Sequence, residues 1–446
     1  MLHLADVRRE FRPMLRLAAP LAAAELGWMA MGIVDTIMSA PLGAAAVGAG
    51  ILGAMVFYPL AMSFTGLLLG MDTLVAQAYG RRDVQDARHT LINGVWLAVA
   101  LTPITVALTM GAIPVMRWVG AKPQVMVLCA PYMRAMAWGL LPLFLFTAFR
   151  RYLQALNLVK MITFTLISAN IINFLGNYAL IYGNWGAPAM GLAGSGWSTS
   201  IARVYMAVAM LCAIVWEEHR AGFLIRTLSW RPAWPRLLQL VRIGLPATGQ
   251  IAFEGAIFGV VTVMAAKLDE VSLAAHGIAV QVISTTFMVP LGISSAAAVR
   301  VGHAVGRGDA RGVAAAGWAA LAIAGLFMSA AGIALWTVPG RAIYRVIPDA
   351  AVVAAVVTLL RIAAFFELFD GLQVVATGAL RGIGDTRSPM LAHFIGYWVI
   401  GMPVVYSLCF PLGWGARGIW VGLSAALILI GMSLVVVWRK RLAGKP

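Results

Sequence analysis

Apolar stretches long enough to cross a lipid bilayer recur from one end of this sequence to the other. A bilayer core is spanned by about 20 apolar residues in a helix. Breaks at charged or Gly/Pro/Asn-rich points divide the chain into about twelve such stretches, from 14–39 to 415–438. Hydrophobic residues make up 61% of the 446 residues and charged residues only 11%, which excludes an ordinary soluble protein. We therefore predict twelve transmembrane helices.

The continuity of these stretches also indicates the fold class. A membrane β-barrel would show segments of about ten residues with alternating hydrophobicity rather than continuous apolar runs. The basic segment 1–16 precedes an apolar run that is too long for a cleavable signal and lacks a clear small-residue cleavage site. We expect an all-α membrane protein that retains its first helix.

The positive charge of the chain follows the predicted topology. A formal net charge of +16 could suggest nucleic-acid binding, but most Lys and Arg residues fall on the loops of one side, which also holds both termini. The positive-inside rule places that side in the cytoplasm, and basic loops are attracted to anionic lipid headgroups. We predict a multi-pass protein of a bacterial-type plasma (inner) membrane, with both termini cytoplasmic and no nucleic-acid partner.

An internal repeat divides the chain into two halves. Three pairs of similar segments recur at nearly the same separation: RLAAP (16–20) with RIGLP (242–246), AQAYGRRD (76–83) with GHAVGRGD (302–309), and MGLAGSGW (190–197) with WGARGIWV (414–421). Repeats of six helices enter the membrane in the same direction and are related by a pseudo-two-fold axis along its normal. We predict six-helix lobes at 1–216 and 241–446, a cytoplasmic connector at 217–240, and a substrate site between the lobes.

Ionisable residues inside the predicted helices are the strongest indication of function. Each costs roughly 2.5 to 3.5 kcal/mol at the centre of a helix on insertion scales, which a passive bundle has no reason to carry. These residues are Glu25, Asp35, Glu254, Glu367, Asp370, Arg134, Arg203 and Arg361. We interpret the acidic set as lining a cavity, pairing with cations or carrying protons. Glu25 and Arg134 lie nearer helix ends, where snorkelling or an ion pair is expected, and Arg361 is expected to pair with another helix.

Three asparagines on the fifth predicted helix add a polar face. Asn170, Asn173 and Asn177 follow the i, i+3, i+7 spacing of one helical side. Their amide oxygens could coordinate a cation, or their side chains could hydrogen-bond one helix to another. The sequence leaves both interpretations open.

The cysteines and histidines indicate neither a disulfide framework nor an enzyme. Cys129, Cys212 and Cys409 all fall within predicted helices without metal-binding spacing, so we expect all three to be small residues of the core.

The sequence holds no HExxH, GxSxG or GxxxxGK[ST] motif. His276 and His393 could serve as bases in an intramembrane enzyme, but lone histidines on membrane helices are more often packing residues.

Several motifs, taken in order along the chain, resemble one family of membrane transporters. They are VDTIMSAPLG (34–43), FEGAIFGVV (253–261), AAHGIAVQ (274–281), RVGHAVGRGD (300–309) and FDGLQVVATGALRG (369–382). The sequence is similar along essentially its whole length to the multidrug and toxic compound extrusion (MATE) family, in particular to its NorM-like branch.

This resemblance implies a fold, an activity and a set of site residues. It implies two six-helix lobes around a central cleft and export of amphipathic, often cationic, drugs and dyes in exchange for Na⁺ or H⁺. Asp35, Glu254 and Asp370 then belong to cation coupling, with Glu254 and Asp370 as candidate Na⁺ ligands, while Asn173 and Asn177 belong to a polar site of the first lobe.

Glu367 matches no acid of the family, and we assign it to the polar substrate cavity. The sequence thus favours a secondary active antiporter that works by alternating access and is not an enzyme. We expect it to use no cofactor beyond its coupling ion, to contact membrane lipids and to function as a monomer. A flippase for lipid-linked sugars or peptidoglycan precursors is the main alternative, and an intramembrane enzyme is a weaker one.

Overall fold

The computed structural model describes residues 4–220, 230–337 and 349–443, together with Ile343. Every regular element in these residues is helical, as predicted. The α-helices are α1 (Leu4–Ser39), α2 (Ala44–Leu68), α3 (Gly70–Gly80), α4 (Val84–Trp118), α5 (Pro123–Trp138), α6 (Leu140–Ala155), α7 (Val159–Tyr182), α8 (Leu192–Arg220), α9 (Trp234–Ala266), α10 (Glu270–Gly306), α11 (Ala310–Thr337), α12 (Ala350–Gly382), α13 (Arg387–His393), α14 (Met402–Cys409) and α15 (Gly415–Ala443).

The helices account for the predicted number of membrane spans. In the described residues, 11 helices or end-to-end helix pairs are long and apolar enough to cross a bilayer, and α5 with α6 forms a further span bent by 42°. The bend lies at Gly139, where an added β-carbon would sit 2.7 Å from the hydroxyl of Ser200. The described residues thus hold 11 candidate spans, or the predicted twelve when the bent pair is counted as one broken span.

Two other spans change geometry along their length. Leu69 interrupts the span formed by α2 and α3, and the π-helical segment Phe394–Gly401 joins α13 to α14. Short π-helical stretches inside α-helices often mark functional sites. This stretch begins directly after His393, which belongs to the site described below.

The described chain forms two compact units. The first unit, residues 23–248, is built around α8, against which α5, α6 and α7 pack, while α2 packs on α5 and α4 packs on α6. Two buried ion pairs join its helices: Arg88 of α4 with Glu218 of α8, and Arg150 of α6 with Glu25 of α1.

The second unit, residues 1–22 with 249–446, is built around α12. This helix packs against α10, α11 and α15, and small residues allow the close approach. A β-carbon at Gly378 of α12 would collide with the backbone of Ser294 in α10, and one at Gly431 of α15 would lie 2.8 Å from the carbonyl oxygen of Phe369.

The chain passes between the units inside two helices. The passage falls between residues 22 and 23 in α1 and between residues 248 and 249 in α9. Pro20 and Pro246 are equivalent residues of the internal repeat. They lie at equivalent positions shortly before the two points where the chain crosses from one unit to the other. The lobe limits of 1–216 and 241–446 stay a prediction about the repeat.

Some residues outside the site differ from expectation or cannot be compared with it. Cys129 and Cys409 are buried, but Cys212 is exposed, so its assignment to the core is wrong. Arg361 is exposed and places its guanidinium 5.9 Å from the centre of the Trp336 ring on α11, a contact with another helix rather than an ion pair. The middle of the predicted connector, residues 221–229, lies outside the described residues.

Candidate functional site

Asp35 is the centre of a buried polar cluster in the first unit. Its side chain lies near the end of α1 and accepts hydrogen bonds from the amide nitrogen of Asn177 at 2.6 Å and from the hydroxyl of Thr199 at 2.8 Å. Asn177 also donates to the amide oxygen of Asn173 at 3.3 Å. We call these four residues the Asp35 cluster. The structure thus brings together three of the residues that the sequence singled out.

Helical spacing explains how α7 contributes two members of this cluster. Asn173 and Asn177 are four residues apart, so both amides lie on one side of α7, and both are fully buried. Asn170, which shares the predicted polar face, instead donates at 2.8 Å to the carbonyl oxygen of Gly27 in α1. Asn170 therefore bonds one helix to another, as one of the two interpretations held, while Asn177 donates to the Asp35 carboxylate. Coordination of a cation by the amide oxygens stays a prediction.

A cavity of about 450 Å³ opens beside Asp35. Its wall is formed by residues of α1, α2, α5 and α8, including Tyr58, Tyr132 and Ser195. An aromatic and largely apolar cavity with one carboxylate has the composition expected of a site for amphipathic small molecules.

A second cluster lies in the second unit, where Gln373 connects two carboxylates. The Gln373 side chain is fully buried on α12, and its amide nitrogen donates to Asp370 at 3.2 Å and to Glu254 of α9 at 3.4 Å. Its amide oxygen lies 2.8 Å from the Nε2 of His393. The His393 Nδ1 lies 2.8 Å from the carbonyl oxygen of Pro389, which can only accept.

Glu367 lies one helical turn before Asp370 and completes this second cluster. It is fully buried, and both of its carboxylate oxygens lie within 3.3 Å of the hydroxyl of Thr286 on α10. Asp370 interacts electrostatically with Glu254 and with Glu367. We call Glu254, Thr286, Glu367, Asp370, Gln373 and His393 the Asp370 cluster.

The buried acids of the described residues fall into two groups according to their partners. Glu25 and Glu218 each pair with a buried arginine, and Glu218 also accepts a hydrogen bond from Tyr152 at 2.6 Å. Asp72 belongs to the same group, because its carboxylate lies 3.5 Å from the guanidinium of Arg151. Asp35 and the acids of the Asp370 cluster have amide, hydroxyl or imidazole partners instead. A carboxylate without an arginine partner keeps its attraction for a mobile cation or proton. The first group is structural, in agreement with the interpretation of Glu25.

His276, one candidate base of the enzyme alternative, has a complete set of hydrogen bonds. Its Nδ1 accepts from the indole N–H of Trp420 at 3.1 Å, and its Nε2 lies 3.1 Å from the hydroxyl of Thr262. Because the indole only donates, Nδ1 carries no proton and Nε2 is the donor. This arrangement is that of a packing histidine.

Sequence reasoning missed three partners of the carboxylates. Gln373 could have been found, because it follows Asp370 by three residues on the same side of α12. Thr199 and Thr286 carry no such pattern, because each meets its carboxylate only through the packing of separate helices.

Within the described part of the chain, no three or more His, Cys, Asp or Glu side chains form a group suited to a metal ion.

Comparison with known proteins places this fold and sequence in one family. The MatE family model matches residues 20–179 and 246–407. The "Probable multidrug resistance protein NorM" of Mesorhizobium japonicum is 37% identical over 442 residues, covering 97% of this chain and 94% of that protein. The "Multidrug resistance protein NorM" of Burkholderia vietnamiensis is 36% identical over 432 residues, covering 95% and 92%.

A solved structure agrees with the fold. The crystal structure of the eukaryotic MATE transporter AtDTX14 superimposes with a TM-score of 0.87 at 17% sequence identity, covering 98% of each chain. The family model covers well over half of the chain and the bacterial relatives cover nearly all of it. The sequence motifs, the helical fold and these matches together show that this chain belongs to the MATE (MatE) family.

Proposed function

We propose that this protein is a secondary active multidrug exporter, which moves amphipathic and often cationic compounds out of the cell in exchange for Na⁺ or H⁺. The observation that carries the proposal is the set of buried carboxylates without arginine partners in both clusters. Two bacterial relatives named as multidrug resistance proteins NorM support export of drugs.

The two clusters suggest a division of labour. The Asp35 cluster borders an aromatic cavity large enough for a drug-sized molecule, so we assign substrate binding to the first unit. The Asp370 cluster concentrates Glu254, Glu367 and Asp370 around the Gln373 amide and the Thr286 hydroxyl, so we assign it to the coupling ion. Glu367, which we first expected in the substrate cavity, is included in this assignment. Mutual repulsion among these carboxylates favours uptake of a cation or a proton.

The proposed cycle is alternating access. The coupling ion enters from the outside and either binds Asp370 and Glu254 or, as a proton, binds Asp35. Neutralising these carboxylates weakens the attraction of the protein for a cationic drug. Exchange of the ion for the drug at buried carboxylates then links ion entry to drug release.

Orientation with both termini in the cytoplasm belongs to the same proposal. It rests on the distribution of basic residues, such as Lys440 and Arg441 in the last turn of α15.

Ethidium efflux from inverted membrane vesicles tests this function, with a Na⁺ gradient and an H⁺ gradient applied separately. Wild-type protein is expected to transport under one of them, and Asp370→Asn to lose transport while reaching the membrane normally. The substitution keeps an acceptor for the Gln373 amide and removes only the charge. Glu270→Gln is the matched control, because Glu270 is exposed at the start of α10.

Full activity of Asp370→Asn would contradict the assignment of the coupling site. Absence of wild-type transport under either gradient would contradict drug export and favour the flippase alternative, in which the substrate is a lipid-linked sugar or a peptidoglycan precursor. The two results differ in the wild-type trace, so they cannot be confused.

A further inference from the structure

An apolar groove on the second unit runs along the first half of α1. It encloses about 470 Å³ between α1, α10 and α11, and every residue that lines it is apolar. The lining residues of α1 follow the spacing of one helical side and are Phe11, Leu15, Ala18, Ala19 and Ala22. Because alanine is small, α1 leaves this space open instead of filling it.

The length of the groove matches one leaflet of a bilayer. Residues 11 and 22 of α1 lie about 16 Å apart along the helix axis, at 1.5 Å per residue. The hydrocarbon core of a bilayer is about 30 Å thick, so each leaflet contributes about 15 Å. The groove ends at Ala22, where α1 packs directly on α10: a β-carbon added at Gly292 would collide with the Ala22 backbone. A groove of this length suits one extended acyl chain.

The groove has a buried floor and an open side. Ile293 of α10 and Ile323 of α11 are buried, whereas Leu15 is 47% exposed and Leu326 of α11 is 68% exposed. In a membrane-spanning helix, an exposed apolar side faces lipid chains. A chain seated in this groove has protein on several sides and buries more apolar surface than a chain lying on a flat helix.

Basic side chains mark the end of the groove nearest to the N-terminus. Arg8 and Arg12 are four residues apart, and Arg8 lies three residues before Phe11, so both share the groove side of α1. Both are exposed, and helical side chains tilt toward the N-terminus, away from the apolar walls. The acid beside them is neutralised, because Glu10 accepts hydrogen bonds from Arg300 of α10 at 2.6 and 2.8 Å.

An apolar groove of one leaflet's length that ends at exposed arginines has the chemistry to bind an anionic phospholipid. We propose that the groove holds one acyl chain of such a lipid, taken from the leaflet that the N-terminus faces, and that Arg8 and Arg12 bind its phosphate. Guanidinium groups bind phosphate oxygens through paired, charge-assisted hydrogen bonds. This lipid site belongs to the second unit and does not depend on the export function proposed above.

Native mass spectrometry of purified, delipidated full-length protein tests the site. The protein is titrated with dioleoyl phosphatidylglycerol, which is anionic, or with dioleoyl phosphatidylcholine, which has the same chains and no net charge. The measured quantity is the apparent dissociation constant of the first bound lipid. Wild-type protein is expected to bind the anionic lipid roughly ten-fold to thirty-fold more tightly, the size expected of two basic side chains near a membrane surface.

The headgroup contact is tested by replacing both arginines. The double variant Arg8→Gln, Arg12→Gln should bind phosphatidylglycerol about as weakly as phosphatidylcholine, with its affinity for phosphatidylcholine unchanged. Arg439→Gln is the matched control, because Arg439 is exposed near the end of α15 in the same unit. It is expected to keep the wild-type preference.

The acyl-chain contact is tested by filling the groove. Ala19→Phe should weaken the binding of both lipids by roughly ten-fold, because the added ring occupies the space of the chain. Ala425→Phe is the control, since Ala425 is exposed on α15 away from the groove lining. If Ala19→Phe does not fold, Leu326→Ala removes one exposed wall and should weaken both lipids by a smaller factor.

Three results would overturn the inference: equal affinity of the wild-type protein for the two lipids, wild-type binding of phosphatidylglycerol by the double arginine variant, or wild-type lipid binding in the groove variants. Displacement of phosphatidylglycerol by inorganic phosphate would show that the arginines bind phosphate without an acyl chain, which also contradicts the proposal. A mass of two chains that have lost the lipid would assign the groove to a second copy of the protein instead.

Discussion

Replacing Gln373 by leucine tests whether one buried amide organises the proposed coupling site. Gln373 touches two carboxylates through its nitrogen, at 3.2 Å from Asp370 and 3.4 Å from Glu254, and lies 2.8 Å from His393 through its oxygen. Leucine has a similar volume and fits the fully buried position without opening a large cavity. The substitution therefore removes hydrogen bonds while packing is largely retained.

The contacts set the size of the expected effect. A buried polar group left without its partner costs about 1–3 kcal/mol. Asp370 and His393 are almost fully buried and lose a partner each, whereas the side chain of Glu254 is 22% exposed and can be solvated. Two such groups give a loss of about 2–6 kcal/mol. Even the lower value corresponds to roughly a 30-fold change in an equilibrium constant.

Part of this loss should appear in ion binding, because the displaced carboxylates are the proposed ion ligands. The assay is dye efflux from proteoliposomes at increasing concentrations of the coupling ion. We expect the ion concentration that gives half-maximal transport to shift by about ten-fold or more in Gln373→Leu. Gln281→Leu is the matched control, since Gln281 is exposed on α10.

Thermal unfolding of the same preparations separates a disturbed site from a misfolded protein. A Gln373→Leu protein that folds and shows the wild-type dependence on ion concentration would refute the reasoning. A change in maximal rate with unchanged ion dependence would move Gln373 from ion binding to a conformational step.

Three further predictions concern stability and substrate binding. Glu218→Gln should destabilise the protein by about 3–5 kcal/mol because it leaves a buried arginine unpaired, whereas Glu217→Gln should have little effect in the same thermal unfolding assay. Gly378→Ala should lower the free energy of unfolding by about 1–3 kcal/mol, because the added methyl group collides with α10. Gly111→Ala adds a methyl group that meets no atom within 4 Å, so it should be neutral or stabilising. Equal unfolding temperatures of the two variants would contradict this prediction. Asp35→Asn should fold normally, because an amide can still bond its neighbours, yet it should lose ethidium resistance in a growth assay; retained resistance would exclude Asp35 from the site.

The sequence was most informative where a single helix carries the whole pattern. Asn173 and Asn177 are four residues apart, and Glu367 and Asp370 are three apart, so helical periodicity alone places each pair on one side of its helix. The cost of polar groups in a membrane predicts that such residues face the protein interior. All four are buried as predicted.

Partners on different helices could not be assigned in this way. The position of Glu25 near a helix end predicted an ion pair, but the sequence could not name Arg150 as its partner, nor the asparagine and the threonine that bond Asp35. Arg203 was recognised as an intramembrane cation, but its contacts with the Phe57 ring and with the carbonyl oxygen of Met136 depend on where α2, α5 and α8 meet.

By itself, the sequence determined the all-helical membrane fold, the number of spans and the helical faces that carry polar groups. These properties follow from bilayer thickness and helical periodicity, which act along one segment at a time. Only the tertiary structure decided which buried acids are neutralised by arginine and which remain available to an ion or a drug. That choice depends on contacts of a few ångströms between residues far apart in the chain, because hydrogen bonds and ion pairs act only at such distances.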